Sequence, residues 1–198
     1  MSGVFKNFGV WIFAAIVFVV LGQVFSGSGF ALTIMSQMGV LIVFSLAYNM
    51  LLGQGGMLSF GHAIYFGLAG YSVAHYLNFV QEGLALAIPV ALIPLLGGLV
   101  GLAFGTAVGY VSTRRAGTTF AMISLGFGEM VTALTLILVA FFNGEEGIQT
   151  DRWFDNAPLG ITFGSDIEVF YLIAIWCMIC MVGMYALTKT PFGRMSNA

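Results

Sequence analysis

A few polar side chains lie in or beside long apolar runs, and they are the residues whose chemistry could matter. The carboxyl group of Glu129 and the imidazole ring of His62 can take up or release a proton, while Gln54 and Ser59 can exchange hydrogen bonds. Such groups either line a path for a small solute or serve as hydrogen-bonded packing residues. For His62, and for the similar His75, a satisfied structural histidine is the commoner case, and the sequence leaves both interpretations open.

The sequence contains none of the common motifs of catalytic sites. H-E-x-x-H, G-x-S-x-G and the phosphate-binding G-x-x-x-x-G-K-[ST] are all missing, and no second carboxylate accompanies Glu129 in its apolar run. Cys177 and Cys180 lie three residues apart in another apolar run without further metal ligands, so we expect them to be packing residues. We therefore expect no catalytic residue, no metal site and no cofactor in this chain.

The composition is that of a membrane protein. Apolar residues make up 60% of the chain and charged residues only 7%, whereas an ordinary soluble domain is about 25% charged. No charged residue occurs between Lys6 and Glu82. These figures exclude a soluble enzyme, a disordered protein and a nucleic-acid binder, which would need a basic patch. They predict an all-α, polytopic membrane protein.

The apolar runs predict six transmembrane helices in one helical bundle, because each crossing takes about 20 apolar residues. We expect a single transmembrane domain over residues 1–198. Pro89 and Pro94 predict a kink or an interfacial first turn in the fourth span. The six predicted spans are residues 8–25, 30–52, 62–80, 84–111, 118–142 and 169–187.

The positive charges predict the orientation of these spans. With six crossings, five of the six basic residues fall on one side, which we take as cytoplasmic, and both ends of the chain lie there. These five residues are Lys6, Arg114, Arg115, Lys189 and Arg194. The loop of residues 143–168 then lies on the outer side, and it is rich in Asp and Glu.

Two glycine patterns indicate special backbone geometry. Gly97, Gly101, Gly105 and Gly109 repeat every four residues, which puts them on one helix face and predicts close contact with another helix. Residues 53–62 are so rich in glycine that a continuous helix is disfavoured. We consider two interpretations of this stretch, a plain cytoplasmic turn and a helix broken within the membrane, whose ends would offer free N–H and C=O groups to a solute.

Glu129 is expected near the middle of its span. It lies eleven residues beyond Thr118, which is roughly 16 Å along a helix. A carboxyl group at that depth is costly unless it faces protein or a water-filled path. We expect a hydrogen-bond donor from Ser124 or from residues 54–62.

Several segments together resemble the permease subunits of branched-chain amino acid ABC importers. The resemblance is carried in order by AYNMLLGQGGMLSFGHA, FGLAGY, RRAGTTFAMISLGFGEM, NGEEGI and TPFGRM, over about residues 40–198. It implies that Pro191, Phe192, Gly193 and Arg194 begin the segment that couples the permease to its ATPase. The family pattern continues beyond Ala198, so we expect the N-terminal part of a longer permease or a natural truncation.

The resemblance implies an ATP-driven importer of branched-chain or other hydrophobic amino acids in the bacterial inner membrane. Its expected partners are a second permease subunit, cytoplasmic ATPase subunits that bind ATP, a periplasmic substrate-binding protein and membrane lipid, but no nucleic acid. Residues 143–168 would be an acidic periplasmic loop. Gln54, Ser59, His62 and Glu129 would line the translocation path. A urea or short-amide permease of the same family is the alternative, and a passive channel or a structural membrane subunit is a third possibility.

Overall fold

A computed structural model describes residues 8–86, 88–114, 117–144, 146–150 and 163–190. Over these ranges the chain forms seven α-helices and no β-strand, which confirms the all-α prediction. A π-helical turn, Met50–Gln54, continues the second helix, and a short 3₁₀ turn, Val90–Leu92, precedes the fourth. The helices are α1 (Phe8–Val24), α2 (Gly29–Asn49), α3 (His62–Gln81), α4 (Ile93–Ser112), α5 (Thr118–Ile137), α6 (Val139–Phe142) and α7 (Asp166–Lys189).

Four helical segments in the described part of the chain are long and apolar enough to cross a membrane. They are Gly29–Gln54, Val90–Ser112, Thr118–Ile137 and Asp166–Lys189. Helix α1 is apolar but has only 17 residues. Helix α3 has 20 residues but carries more polar side chains than these four. The helical bundle is therefore as expected, while the count of six crossings stays a prediction.

The fourth helix begins later than the sequence predicted. Residues 84–89 were expected to belong to the span, but the chain leaves α3 at Gln81 and re-enters a helix only at Val90. Pro94 lies in the first turn of α4, where a residue without an N–H group costs no helical hydrogen bond. Of the two expected outcomes, a kink or a first turn, the structure has the first turn.

The hydroxyl group of Tyr76 holds the connection between α3 and α4. It donates a hydrogen bond to Leu86 O at 2.6 Å and accepts one from Ile88 N at 3.1 Å. Gly83 adopts a φ of +74° in the same connection. An apolar run cannot reveal such a loop, because Leu84 and Leu86 have the side chains that a span would have.

Two further boundaries differ from the prediction. The expected fifth span, residues 118–142, is interrupted at Leu138, whose ψ of 59° is not helical, so that α6 forms a separate short helix. Helix α7 begins at Asp166, so Asp166 and Glu168 belong to its first turn and not to the outer loop. Carboxylates in the first turn interact favourably with the positive end of the helix dipole, and Lys189 in the last turn interacts favourably with its negative end.

The chain divides into two compact units, and each has its own packing. The first comprises Met1–Gly55 and Phe163–Ala198, and the second comprises Gly56–Thr162. The boundary between them falls inside the glycine-rich stretch. The first unit is thus built from α1, α2 and α7, and the second from α3 to α6.

Small residues let α7 approach its neighbours in the first unit. A Cβ atom added at Gly22 of α1 would lie 2.8 Å from the hydroxyl oxygen of Tyr171, and one added at Gly39 of α2 would lie 2.8 Å from a methyl group of Ile173. Gln23 donates a hydrogen bond to the Tyr171 hydroxyl at 3.0 Å. Cys177 is a fully buried free thiol on α7, in keeping with a packing role.

The second unit is organised around α3, which packs on α4 and on α5. Its buried apolar residues include Ile64 and Leu77 of α3 and Phe120 and Ala121 of α5. The first residues of this unit form the second half of the glycine-rich stretch. Among them, Phe60 and Gly61 contact α5.

Candidate functional site

The glycine-rich stretch separates α2 from α3 by a non-helical segment, as both interpretations of the sequence require, and its position relative to the membrane stays a prediction. The helix widens into the π turn after Asn49, where Gly55 N donates to Met50 O at 3.3 Å. Residues 55–61 are not helical, and α3 begins at His62. Gly56 has a φ of +61°, a conformation that glycine adopts without steric cost.

The end of this break is held against α5 by a side chain. The backbone N–H group of Phe60 donates to Ser124 Oγ at 3.1 Å. The same hydroxyl group donates to Ala121 O within α5 at 2.8 Å. Ser124 and Ser59 are 5% and 4% exposed. The end of the break is therefore a partly buried, hydrogen-bonded contact within the second unit, in which Ser59 and Gly61 are the buried residues.

Two glycines make this contact possible at the level of the backbone. A Cβ atom added at Gly61 would overlap the carbonyl oxygen of Ser124, and one added at Gly128 would lie 3.9 Å from Gly61 Cα. The four-residue step from Ser124 to Gly128 places both on one face of α5. The expected donor from residues 54–62 to Glu129 already placed this stretch near the same span, but neither composition nor spacing indicated Ser124 and Gly128 as the contacts of Gly61.

His62 follows the contact directly as the first residue of α3. Its side chain is half-buried, and its ring lies edge-on to Tyr65 with a distance of 6.1 Å between ring centroids. This ring contact lies within α3, and a shared site of Ser59 and His62 stays a prediction.

Glu129 lies on α5 next to this contact but points elsewhere. It follows Gly128 by about 100° around the helix, and its side chain is exposed in this chain. Ser124 is not the expected donor to Glu129, because its hydroxyl hydrogen is given to Ala121 O. The alternative, a donor from residues 54–62, stays a prediction. A Cβ atom added at Gly126, one turn before Glu129, would meet no atom within 4 Å.

The remaining candidate residues lie elsewhere. Gln54 is the half-buried last residue of the π turn and belongs to the first unit. Pro191, Phe192, Gly193 and Arg194, the expected start of the coupling segment, lie outside the described residues.

The glycine face of α4 meets α3 at one end. A Cβ atom at Gly97 would lie 3.4 Å from Val73 Cγ2, and one at Gly101 would lie 3.8 Å from Ala69 Cβ. At Gly105 and Gly109 an added Cβ atom would meet nothing within 4 Å. The packing role of the whole face stays a prediction.

Sequence reasoning missed an aromatic cluster at the other end of α3. The His75 ring donates through Nε2 to Phe141 O at 2.7 Å and lies 4.5 Å from the Phe141 ring. Tyr71 packs edge-on against Phe142 at 4.9 Å between centroids. The spacing of Tyr71 and His75, four residues apart, was the available signal. His75 is thus a satisfied structural histidine.

The four apolar helical segments of membrane-crossing length among the described residues define a multi-pass membrane protein. Residues 30–198 match the family described as "Branched-chain amino acid transport system / permease component". The chain belongs to this family, which is one of transport components.

Two curated relatives are similar to the chain. Both are named "High-affinity branched-chain amino acid transport system permease protein LivM". The protein from Salmonella typhimurium is 27% identical over 177 residues, and the one from Escherichia coli is 26% identical over 177 residues. Each alignment covers 78% of this chain and 40% of the relative, so the chain spans less than half of the relatives' length. No solved structure matches.

Proposed function

We propose that the chain is a transmembrane permease subunit of an ATP-driven importer for branched-chain or other hydrophobic amino acids, and that it forms part of the translocation path. The observation that carries this proposal is the helix break between α2 and α3, packed onto α5, in a chain of this permease family. Broken helices are the usual place for solute sites in transporters, because their ends leave backbone groups available.

The path would be lined by Gln54, Ser59, His62 and Glu129. Glu129 is already exposed on α5, and His62 is half-buried at the start of α3. Ser59 is buried, so it would reach the path only when the break moves away from α5. This supports a gated path, in which the polar side chains become accessible in one state of the transport cycle.

The energy for this cycle would come from other subunits. ATP would be bound and hydrolysed by cytoplasmic ATPase subunits, and residues 191–194 would begin the segment that contacts them. A second permease subunit would complete the path, and a periplasmic binding protein would deliver the substrate. The chain would lie in the bacterial inner membrane with both termini cytoplasmic.

The decisive experiment is uptake by a reconstituted assembly. The chain is incorporated into proteoliposomes with the ATPase, permease and binding-protein subunits encoded beside it, and uptake of radiolabelled leucine, isoleucine and valine is measured. We expect uptake that needs ATP and stops when the P-loop lysine of the ATPase is replaced. Uptake of labelled urea or acetamide in place of amino acids would support the alternative substrate class.

Two results would contradict the proposal. Solute flux that is independent of ATP would indicate a passive channel. Normal ATP-driven uptake by an assembly that lacks this chain would indicate a structural subunit.

A further inference from the structure

We propose that Ser124 is a positioning residue: its hydroxyl group holds the helix break on α5 and thereby keeps Ser59 out of reach. The inference concerns the access of Ser59 to solvent and reagents. It rests on the proposed function only in its consequence for transport.

The first step of the argument is the hydrogen bond itself. Residues 56–61 lie outside any helix, so the N–H group of Phe60 has no helical carbonyl as its acceptor. In a partly buried contact an N–H group without an acceptor is costly. Phe60 N meets this need through Ser124 Oγ at 3.1 Å.

The second step is the orientation of the acceptor. Because the Ser124 hydroxyl gives its hydrogen to Ala121 O at 2.8 Å, its lone pairs are left to accept the bond from Phe60. The hydroxyl group is therefore oriented by a hydrogen bond within its own helix. A side chain without oxygen at this position could fill the same space but could not accept the bond.

The third step connects the bond to Ser59. Ser59 immediately precedes Phe60 and is 4% exposed, and Gly61 on the other side contacts the α5 backbone at Ser124 and Gly128. The break cannot expose Ser59 by leaving α5 unless the Phe60–Ser124 bond opens. The strength of this one hydrogen bond therefore contributes to the equilibrium between a closed state, with the break on α5, and an open state, with the break away from α5.

The test removes the hydroxyl oxygen of Ser124 in one variant and that of a control serine in another, and it compares the effects of the two changes. Ser124→Ala deletes the acceptor and keeps the size of the side chain nearly unchanged. Ser72→Ala is the matched control, because the half-buried Ser72 hydroxyl bonds only within α3, to Leu68 O at 2.8 Å. Amide hydrogen exchange is measured for the peptide that contains Phe60, in the purified chain in lipid nanodiscs.

We expect Ser124→Ala to raise exchange at the Phe60 amide by about five- to tenfold, the factor that corresponds to one neutral hydrogen bond. Ser72→Ala should leave this amide unchanged. A Cys placed at Ser59 should react faster with a small thiol reagent in the Ser124→Ala background, again by about five- to tenfold. A purely space-filling role for Ser124 would move neither rate, since alanine fills the site.

Unchanged exchange at Phe60 in Ser124→Ala would overturn the inference, and so would faster exchange without faster thiol reaction at position 59. Neither measurement needs transport, so both decide the role of Ser124 even if the assembly imports no amino acid. Where the assembly does transport, Ser124→Ala should change the uptake rate while subunit assembly stays normal. If Ser124→Ala speeds amide exchange at Phe60 but leaves the uptake rate unchanged, Ser124 has no positioning role in transport.

Discussion

The contact between Gly61 and α5 has no room for a side chain. The nearest neighbour of a Cβ atom added at Gly61 would be the carbonyl oxygen of Ser124. This oxygen belongs to a helix backbone and cannot rotate away as a side chain would. Gly67 of the same unit is different: in the first half of α3, an added Cβ atom there would meet nothing within 4 Å. The same residue type therefore serves a close approach in one place and leaves open space in another.

We predict that Gly61→Ala destabilises the second unit by about 1–3 kcal/mol, because either the break or α5 must shift to accommodate the methyl group. Gly67→Ala, the matched control, should be neutral or slightly stabilising, since alanine favours the helix more than glycine does. Thermal unfolding of the two variants in the same detergent measures the difference. Equal midpoints would show that the backbone contact at Gly61 is not needed.

Glu129 presents the opposite case, a polar side chain that this chain leaves exposed. A carboxyl group in the middle of a span is unfavourable in lipid, and we expect it to face the path or another subunit. Glu129→Gln keeps the size of the side chain and its hydrogen bonding but removes the possible charge, whereas Glu129→Leu removes both. We predict that Gln lowers uptake by the assembled importer, as expected of a path residue.

The assembly of each Glu129 variant, measured by co-purification of the partner subunits, separates the roles. Normal uptake with Gln, combined with lost assembly in Leu, would make Glu129 a structural hydrogen-bonding group. Normal assembly and uptake in both variants would mean that the residue has no role in the path or in assembly.

At the scale of elements, the α4 glycine face behaves differently along its length. Gly101 lies against Ala69 and the Tyr65 backbone of α3, where a longer side chain would push the helices apart. One turn further on, Gly105 has open space in this chain. The adjacent Leu102 is exposed, off the contact.

We therefore predict that Gly101→Leu destabilises the isolated chain by about 1–3 kcal/mol, and that Gly105→Leu and Leu102→Ala cost much less. Unfolding in detergent and the yield of folded protein report these effects. If Gly105→Leu instead impairs only the complete assembly, a partner helix covers that end of the face. A larger loss for Leu102→Ala than for Gly101→Leu would mean that the face is assigned wrongly.

The sequence predicted the presence of the helices better than it predicted where they end and which segments they contact. Apolar runs reveal helices because the bilayer demands them, and the glycine density revealed the break. The start of the fourth span was misjudged because Leu84 and Leu86 resemble residues of a span, while the hydroxyl of Tyr76 binds Leu86 and Ile88 outside any helix. The interruption at Leu138 gave no signal in the sequence. The pairing of the break with Ser124 depends on contacts between distant parts of the chain, which one sequence does not reveal.

At the scale of the whole molecule, two helices carry an aromatic and a basic side chain together at one end. Arg114 stacks over the Tyr110 ring at 4.5 Å, and Lys189 lies 5.3 Å from the Tyr185 ring centroid. Each pair is four residues apart in or just after the last turn of its helix. Aromatic and basic residues of this kind are enriched where a membrane meets water. Each pair therefore favours an interfacial position for the end of its own helix, and the orientation of the chain stays a prediction.

The orientation can be tested with single cysteines and a reagent that does not cross membranes. Gln149, exposed beyond α6, should react from the outside when replaced by Cys. Ser112 is buried at the end of α4 and makes a poor probe, so the exposed neighbour Thr113 is the better inner position. Thr113→Cys should react only after the membrane is opened. Because the two native thiols, Cys177 and Cys180, lie within α7, they should add little background in intact cells. Labelling at Thr113 and protection at Gln149 would reverse the predicted orientation.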